Sequence, residues 1–287
     1  MTIKLSILNM KGGVGKSTLT VNLAWYFSAI SKWKKKILVV DLDPQFNASQ
    51  YLVGVKEYEK ILANNSPTTW DIFEQYTQTP RSPKPVEIDD KQLIYNVTNF
   101  SGGNRIDLIP SRLELAFSIR NPNTKDNLLS RTLSKFEDDY DLIIMDCPPT
   151  ESFLTTAAYI ASDFILVPVK PEYLSSIGLP LLVNSLREFK LHHPQKEVKL
   201  AGVIFNSTSN NSTEEFKVKS EVKDIAKKNN WYVFNNEITY SRSYPRGARE
   251  GQPIFRTTYS QYQPINKLSK VADELAERIN LCPQTKN

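Results

Sequence analysis

The first elements of the chain can be predicted from where its apolar residues fall. Residues 3–8 form an apolar run, and residues 19–30 then carry apolar side chains at the 3.6-residue spacing of a helix with one buried face. Residues 37–40 are continuously apolar, as expected for a parallel strand covered on both faces. The chain therefore begins with a predicted β-α-β unit.

The same alternation of strand and helix patterns continues through the second half of the chain. The predicted strands are 106–110, 141–146, 164–167, 199–205 and 231–234, and the predicted helices are 123–136, 152–161, 179–189, 216–228 and 263–279. This rhythm predicts an α/β fold, with a mostly parallel twisted sheet and helices on both faces.

The pattern is weak between residues 52 and 100. Prolines and polar residues leave one helix-like piece there, at 69–76. We therefore expect a single domain over residues 1–287, with an irregular insertion around 53–103.

A glycine-rich loop joins the first strand to the first helix. Residues 11–18 read K-G-G-V-G-K-S-T, and a strand, this spacing and a helix in that order are the context of a phosphate-binding P-loop. Glycines allow a tight turn whose backbone N–H groups point at phosphate oxygens, and the helix adds its positive end. The residues expected to bind the phosphates are Gly12, Gly13, Val14, Gly15, Lys16, Ser17 and Thr18. A glycine-rich turn with a chance lysine is the alternative, which the coincidence of strand, loop and helix disfavours.

Polar residues follow three predicted strands, at the edge where open α/β sheets bind their ligands. Asp41 and Asp43 follow the strand 37–40, and Asp146 ends the strand 141–146, so their carboxylates can reach a Mg²⁺ ion that Ser17 also contacts. For Asp43, which precedes a proline, a turn-forming role is an equal alternative. Asn206 follows the strand 199–205, where its amide can pair with adenine or form a turn.

Composition and charge narrow the class of protein. Hydrophobic residues make up 40% of the chain and charged residues 23%, which is the range of globular proteins. The two cysteines, Cys147 and Cys282, have no metal-binding spacing and favour a reducing compartment. No apolar run approaches the roughly 20 residues of a spanning helix. We expect a cytoplasmic protein.

The net charge of +5 permits binding to nucleic acid or to an anionic surface, but only clustering would favour either. Residues 240–256 contain four arginines and one acid, with aromatic residues between them: Arg242, Arg246, Arg249 and Arg256, with Glu250. The lysine-rich helix 216–228 could extend this cluster. A solvated basic face is the alternative interpretation of both segments.

Taken in order, these motifs resemble those of the ParA/MinD superfamily of ATPases. Lys11 is the signature of its deviant Walker A loop, and residues 39–45 resemble its second acidic motif. Three further segments match the family's L-D-L-I-P-S, D-x-P-P Walker B and G-x-P-I motifs: 106–111, 144–149 and 251–254. The chain departs from the family in 52–100 and at 257–260, where the family has Y-D-P-x-S. It starts at its first strand, like ParA proteins without an N-terminal winged helix.

The resemblance implies a slow ATPase that uses ATP and Mg²⁺ and acts as a partition protein. Two subunits would close over two nucleotides, with Lys11 reaching the partner's phosphates, Lys16 binding its own, and Asp41 orienting the attacking water. Ser17, Asp41 and Asp146 would hold Mg²⁺. The ATP dimer would bind DNA without sequence preference through Arg242, Arg246 and Arg249, until a centromere-binding or cargo adaptor protein stimulates hydrolysis. We therefore expect nucleoid association.

Two other classes share this fold. A MinD-like positioning ATPase acting on a membrane would need a basic amphipathic tail, whereas only the polar residues 280–287 follow the last predicted helix. We therefore expect no stable membrane association, although another cellular cargo stays possible. The chain lacks the cysteines that a metal-cluster carrier needs. In a small-molecule ligase, Lys11 would have no explained role.

Overall fold

The apolar runs form the strands of a single sheet in the computed structural model, which describes residues 2–30, 32–74, 89–119, 125–172, 178–209, 211–258 and 260–284. The strands are Ile3–Ile7 (β1), Ile37–Asp41 (β2), Tyr95–Asn99 (β3), Arg105–Ile109 (β4), Leu142–Asp146 (β5), Phe164–Val169 (β6), Lys199–Thr208 (β7) and Ile238–Thr239 (β8). In the described part of the chain their order is β3-β4-β2-β5-β1-β6-β7-β8. Among these described strands, only β3 runs antiparallel to its neighbour. The predicted α/β fold with a mostly parallel sheet is confirmed.

Helices cover both faces of this sheet. They are Lys16–Ala29 (α1), Asn47–Val53 (α2), Val55–Ala63 (α3), Thr69–Glu74 (α4), Leu115–Ser118 (α5), Leu128–Ser134 (α6), Phe153–Ala161 (α7), Gly178–His192 (α8), Thr213–Lys228 (α9), Ser243–Glu250 (α10) and Tyr262–Arg278 (α11), with a short 3-10 helix at Asp90–Leu93. Among the described residues, no helix is both long enough and apolar enough to cross a bilayer.

Two hydrophobic cores lie on opposite faces of the sheet. In β2, Leu38 and Val40 belong to one core, whereas Ile37 and Val39 belong to the other, because successive strand residues point to opposite faces. The first core packs against α6, α7, α8 and α9. The second packs against α1, α2 and α11. Burial on both faces explains why the central strands are continuously apolar in sequence.

The described part of 53–103 is more regular than its sequence pattern indicates. It contains α3, α4, the 3-10 helix and the edge strand β3. In β3, every residue is half-buried or exposed, so the strand lacks the apolar run of a central strand. Residues 75–88, including the end of the predicted helix 69–76, lie outside the described residues.

Three other elements differ from the prediction. Residues 231–234, expected as a strand, contribute only an isolated bridge between Val233 and Val203, and the edge strand is β8 instead. The helix α10 lies in the arginine segment, where polar residues and Pro245 concealed a helical period. The predicted helix 123–136 is shorter, as α6, and its first two residues lie outside the described part.

Candidate functional site

The glycine-rich loop connects β1 to α1 at the carboxyl edge of the sheet. Gly13 and Gly15 have φ angles of 75° and 86°, a left-handed conformation that favours glycine. A Cβ atom on Gly15 would also stand 2.3 Å from the amide nitrogen of Asn206. The turn therefore requires glycine at position 15 for two independent reasons, conformation and space.

Lys16 begins α1 and folds its side chain back into the loop. Its Nζ atom donates to the carbonyl oxygens of Asn9 at 3.4 Å and of Lys11 at 3.3 Å. Burial lowers the pKa of this ammonium group, against the opposing effect of Asp146 and Asp43. The loop thus holds a buried cation with long hydrogen bonds, which is suited to binding an anion.

Asp146 ends β5 directly beside the start of α1. Its Oδ1 atom accepts from Thr20 at 3.4 Å, whereas its buried Oδ2 atom has no hydrogen-bond partner among the described residues. Burial raises the pKa of Asp146 to about 7, although Ser17 and Lys16 oppose that shift. An unpartnered buried carboxylate oxygen beside a serine hydroxyl fits the donor set that Mg²⁺ prefers. Ser17 and Asp146 therefore have the chemistry of a magnesium site.

Asp41 lies next to Asp146 across the β2–β5 pair but has a different environment. Its Oδ1 atom accepts from the Asp43 amide at 3.1 Å, and its Oδ2 atom accepts from the amide and hydroxyl of Ser49 at 2.8 and 2.7 Å. Burial raises the pKa of Asp41 well above its usual range, as does the neighbouring Asp146. Asp41 is fully buried and both its oxygens accept hydrogen bonds. Its predicted contact with the metal stays a prediction.

A cavity of about 470 Å³ opens in front of the loop. This is the size range of small-ligand pockets. Beyond the loop, it is lined by Asp43, Gln45, Asn47, Gln50, Tyr51, Val55, Pro149 and Ala248. The sequence pattern did not indicate the contributions of α2 and α10, because neither helix carries a recognisable phosphate-binding motif. Asp43 lines the cavity, and its Oδ1 atom accepts from the Gln45 amide at 2.9 Å, as in the predicted turn. Its approach to Mg²⁺ stays a prediction.

Asn206 and Lys11 both make hydrogen bonds within the subunit at the glycine-rich loop. The Asn206 amide donates to the carbonyl of Val14 at 2.7 Å and so supports the loop. Its pairing with adenine stays a prediction. Lys11 is half-buried beside Gly178 at the start of α8, and its backbone amide donates to the Asn9 side chain at 3.0 Å. In the described part of the chain, the Lys11 ammonium has no ion-pair partner.

The arginine segment lines a second cavity, beside α10. Arg242, Arg246 and Arg249 line one cavity of about 410 Å³, so the structure brings the three predicted residues together. Arg246 is also paired with Glu250 at 2.7 Å. Arg256 lies apart from that cavity, with its guanidinium 4.7 Å from the ring centroid of Trp25.

The lysine-rich helix α9 does not extend this cluster. Its apolar side packs in the core of the opposite face, through Val218 and Val222. Lys219 is buried in ion pairs with Glu215 at 3.0 Å and Glu237 at 2.8 Å. The sheet therefore separates α9 from the arginines.

Comparison with known proteins places most of the chain in a family. Residues 2–200 match the AAA_31 family model, described as an AAA domain. The chain is 28% identical over 284 residues to the sporulation initiation inhibitor protein Soj of Bacillus subtilis, covering 96% of this chain and 97% of Soj. It is 28% identical over 224 residues to the chromosome partitioning protein ParA of Myxococcus xanthus, covering 78% of this chain and 71% of that protein.

A solved structure has the same fold over nearly the whole chain. An ATP complex of an McdA variant from Cyanothece superposes with a TM-score of 0.79, at 18% sequence identity, and the match covers 99% of each chain. At this identity, the likeness concerns the fold alone.

Proposed function

Because the chain belongs to the AAA_31 family, with ParA and Soj among its relatives, we propose that it is an ATP-dependent DNA partition ATPase. One observation carries this proposal. At a single edge of the sheet, the glycine loop contains the buried Lys16 and lies beside Asp146, and among the described residues one Asp146 oxygen has no hydrogen-bond partner and the ammonium of a second loop lysine, Lys11, has no ion-pair partner. An ordinary P-loop needs only the first two features.

ATP and Mg²⁺ are the proposed cofactors. The loop amides and Lys16 bind the phosphates, together with Thr18 in the first turn of α1. Ser17 and Asp146 would hold Mg²⁺, which, when bound, neutralises charge on the β- and γ-phosphates. Asp41 orients the attacking water from its position beside Asp146.

Hydrolysis is proposed to depend on a homodimer. Lys11 crosses to the nucleotide of the partner subunit and stabilises charge that develops on its γ-phosphate, and such a cation in trans contributes roughly 10³–10⁵ in rate in other NTPases. Intrinsic turnover is therefore slow. A centromere-binding or cargo adaptor protein accelerates hydrolysis, and the dimer then separates because the phosphate contact is lost.

The cavity lined by Arg242, Arg246 and Arg249 is proposed to bind DNA when the protein is bound to ATP, at the nucleoid. Exposed Arg242 and Arg249 neutralise backbone phosphates, whereas Arg246 contributes less because it is paired with Glu250. Ala248, on the same helix, lines the cavity in front of the glycine loop (the nucleotide cavity), so Arg246 and Arg249 lie within one helical turn of a residue that faces the proposed nucleotide site. This proximity supports nucleotide-dependent DNA binding.

DNA retention tests this function. Wild-type protein is expected to retain mixed-sequence DNA with ATP, but not with ADP or without nucleotide. Replacing Arg242 and Arg249 together by Glu should abolish retention and leave ATP affinity unchanged. The matched control replaces Lys223 and Lys227, exposed on α9, by Glu, and should retain DNA. Equal retention of DNA with ATP, with ADP and without nucleotide would contradict the partition function. An unchanged salt dependence in the arginine variant would contradict the location of the patch.

A further inference from the structure

A chain of hydrogen bonds surrounds Asp41 and involves a motif that the proposed function leaves unused. The segment 106–111 ends at Ser111, two residues after the end of β4. Ser111 is fully buried, as are Asp41 and Ser49. Buried polar groups are costly unless they are hydrogen-bonded, so these contacts define the local structure.

Ser49 lies at the centre of this chain. The backbone amide of Ser111 donates to Ser49 Oγ at 3.0 Å, and Ser49 Oγ in turn donates to Asp41 Oδ2 at 2.7 Å. Because the amide occupies an acceptor position on the hydroxyl oxygen, the hydroxyl proton is available for the carboxylate. The end of β4 thus fixes the direction in which Ser49 donates.

Ser111 is itself held from the other side. Its carbonyl accepts from the Tyr58 hydroxyl at 2.8 Å, and the Tyr58 ring stacks on Phe46, with centroids 5.0 Å apart. Phe46 precedes α2 and has a left-handed φ of 46°. The contacts therefore return to the helix that carries Ser49, and they hold that helix at both its start and its first turn.

We propose that Ser49 is a positioning residue for Asp41, and that the Ser111 amide orients its hydroxyl. The proposal rests on the role of Asp41 in hydrolysis given under the proposed function. A carboxylate that orients water must keep one orientation, and three donors hold Asp41 in one. The neighbours of Ser49 on α2, Gln50 and Tyr51, line the nucleotide cavity. Ser49 therefore joins the cavity wall to the acid.

The test compares Ser49→Thr with Ser49→Val, because the two side chains share a shape and differ in the hydroxyl. The threonine variant should hydrolyse ATP within about threefold of wild type, whereas the valine variant should lose roughly 10- to 100-fold in kcat, as expected for a hydrogen bond to a charged group. ATP affinity should change less than about twofold in either, since Ser49 does not line the cavity. The control for losing a buried hydroxyl is Ser162→Ala, on the far side of β1, with turnover expected at the wild-type level.

Asp41→Ala, measured in parallel, distinguishes a failure of the role proposed for Ser49 from a failure of the proposed function on which it rests. If Asp41→Ala binds ATP without hydrolysing it and Ser49→Val turns over normally, the positioning role of Ser49 is wrong and the proposed function stands. Normal turnover by Asp41→Ala would remove Asp41 from the mechanism and the role of Ser49 with it. Equal losses of kcat in the threonine and valine variants would show that Ser49 matters for packing, not for its hydroxyl, and would also overturn the inference.

Discussion

Two neighbouring carboxyl groups, Asp41 and Asp146, end adjacent strands and are both completely buried. They differ in their partners. Asp41 receives donors on both oxygens, whereas Asp146 keeps one oxygen without a partner among the described residues. Two buried like charges disfavour each other, so a difference in hydrogen bonding separates their roles. The Asp146 oxygen without a described partner is suited to binding a cation, whereas the hydrogen bonds to Asp41 hold its carboxyl group in one orientation.

The raised pKa of Asp146 predicts that binding of Mg²⁺ and ATP releases protons. With a pKa of about 7, the carboxyl group is partly protonated at neutral pH, and a metal ion binds only its ionised form. Affinity should therefore fall as the pH is lowered below 7 and level off above 8. Calorimetry in buffers of different ionisation enthalpy should detect on the order of half a proton released at pH 7.

Asp146→Asn is the control for this measurement, because it removes the titrating group and keeps the side-chain volume. The difference in proton release between wild type and this variant isolates Asp146 from the titration of ATP itself. The same proton release in both proteins would show that Asp146 is already ionised at neutral pH in the free protein.

At the scale of elements, the contact between α2 and α10 joins the nucleotide cavity to the arginines. A Cβ atom on Gly247 would stand 2.6 Å from the Tyr51 hydroxyl and 2.5 Å from the carbonyl of Gln252. Asn22 of α1 completes the junction, since it donates to the Tyr51 hydroxyl at 3.1 Å and accepts from the Ile254 amide at 2.9 Å. The segment 251–254 thus anchors the end of α10 to the helix that follows the P-loop.

Gly247→Ala should lower the stability of the protein, although replacing glycine by alanine inside an unconstrained helix raises it. The added methyl group must displace Tyr51 or Gln252, at a cost of about 1–3 kcal/mol for overpacking. Thermal unfolding measures whether the substitution lowers or raises the stability of the protein. We also expect weaker ATP binding, because Tyr51 lines the cavity. A higher melting temperature would show that α10 is free to move away from α2.

The elements of the fold differ in how clearly their sequence patterns indicate them. The central strands and the phosphate loop could be predicted, because burial on both faces and the need for glycine leave direct marks in the sequence. Elements such as β3 and α10 could not, since an edge strand and a polar surface helix have little apolar periodicity. The contact between Ser49 and Ser111 could not be predicted either, because it links residues far apart in the chain that only the fold brings together.

For the whole molecule, the role proposed for Lys11 would distinguish a self-contained ATPase from one that works only as a dimer. Its ammonium has no ion-pair partner in the described residues, although the neighbouring Lys16 is directed into its own loop. We expect Lys11→Ala to bind ATP but to hydrolyse it poorly, and Lys16→Ala to bind none. Each variant alone should be nearly inactive.

Mixing the two variants tests whether Lys11 acts across the interface. In a mixed dimer, the Lys11→Ala subunit binds ATP and the Lys16→Ala subunit supplies an intact Lys11, so one complete site is restored. An equimolar mixture should therefore hydrolyse ATP faster than the sum of the separate variants, with a rate that depends on protein concentration. As a control, Lys11→Ala mixed with a Lys11→Ala, Lys16→Ala double variant should gain nothing, because no subunit carries the lysine. If the first mixture also shows no gain while sedimentation detects mixed dimers, Lys11 acts within its own subunit, and the dependence of hydrolysis on a second subunit must have another cause.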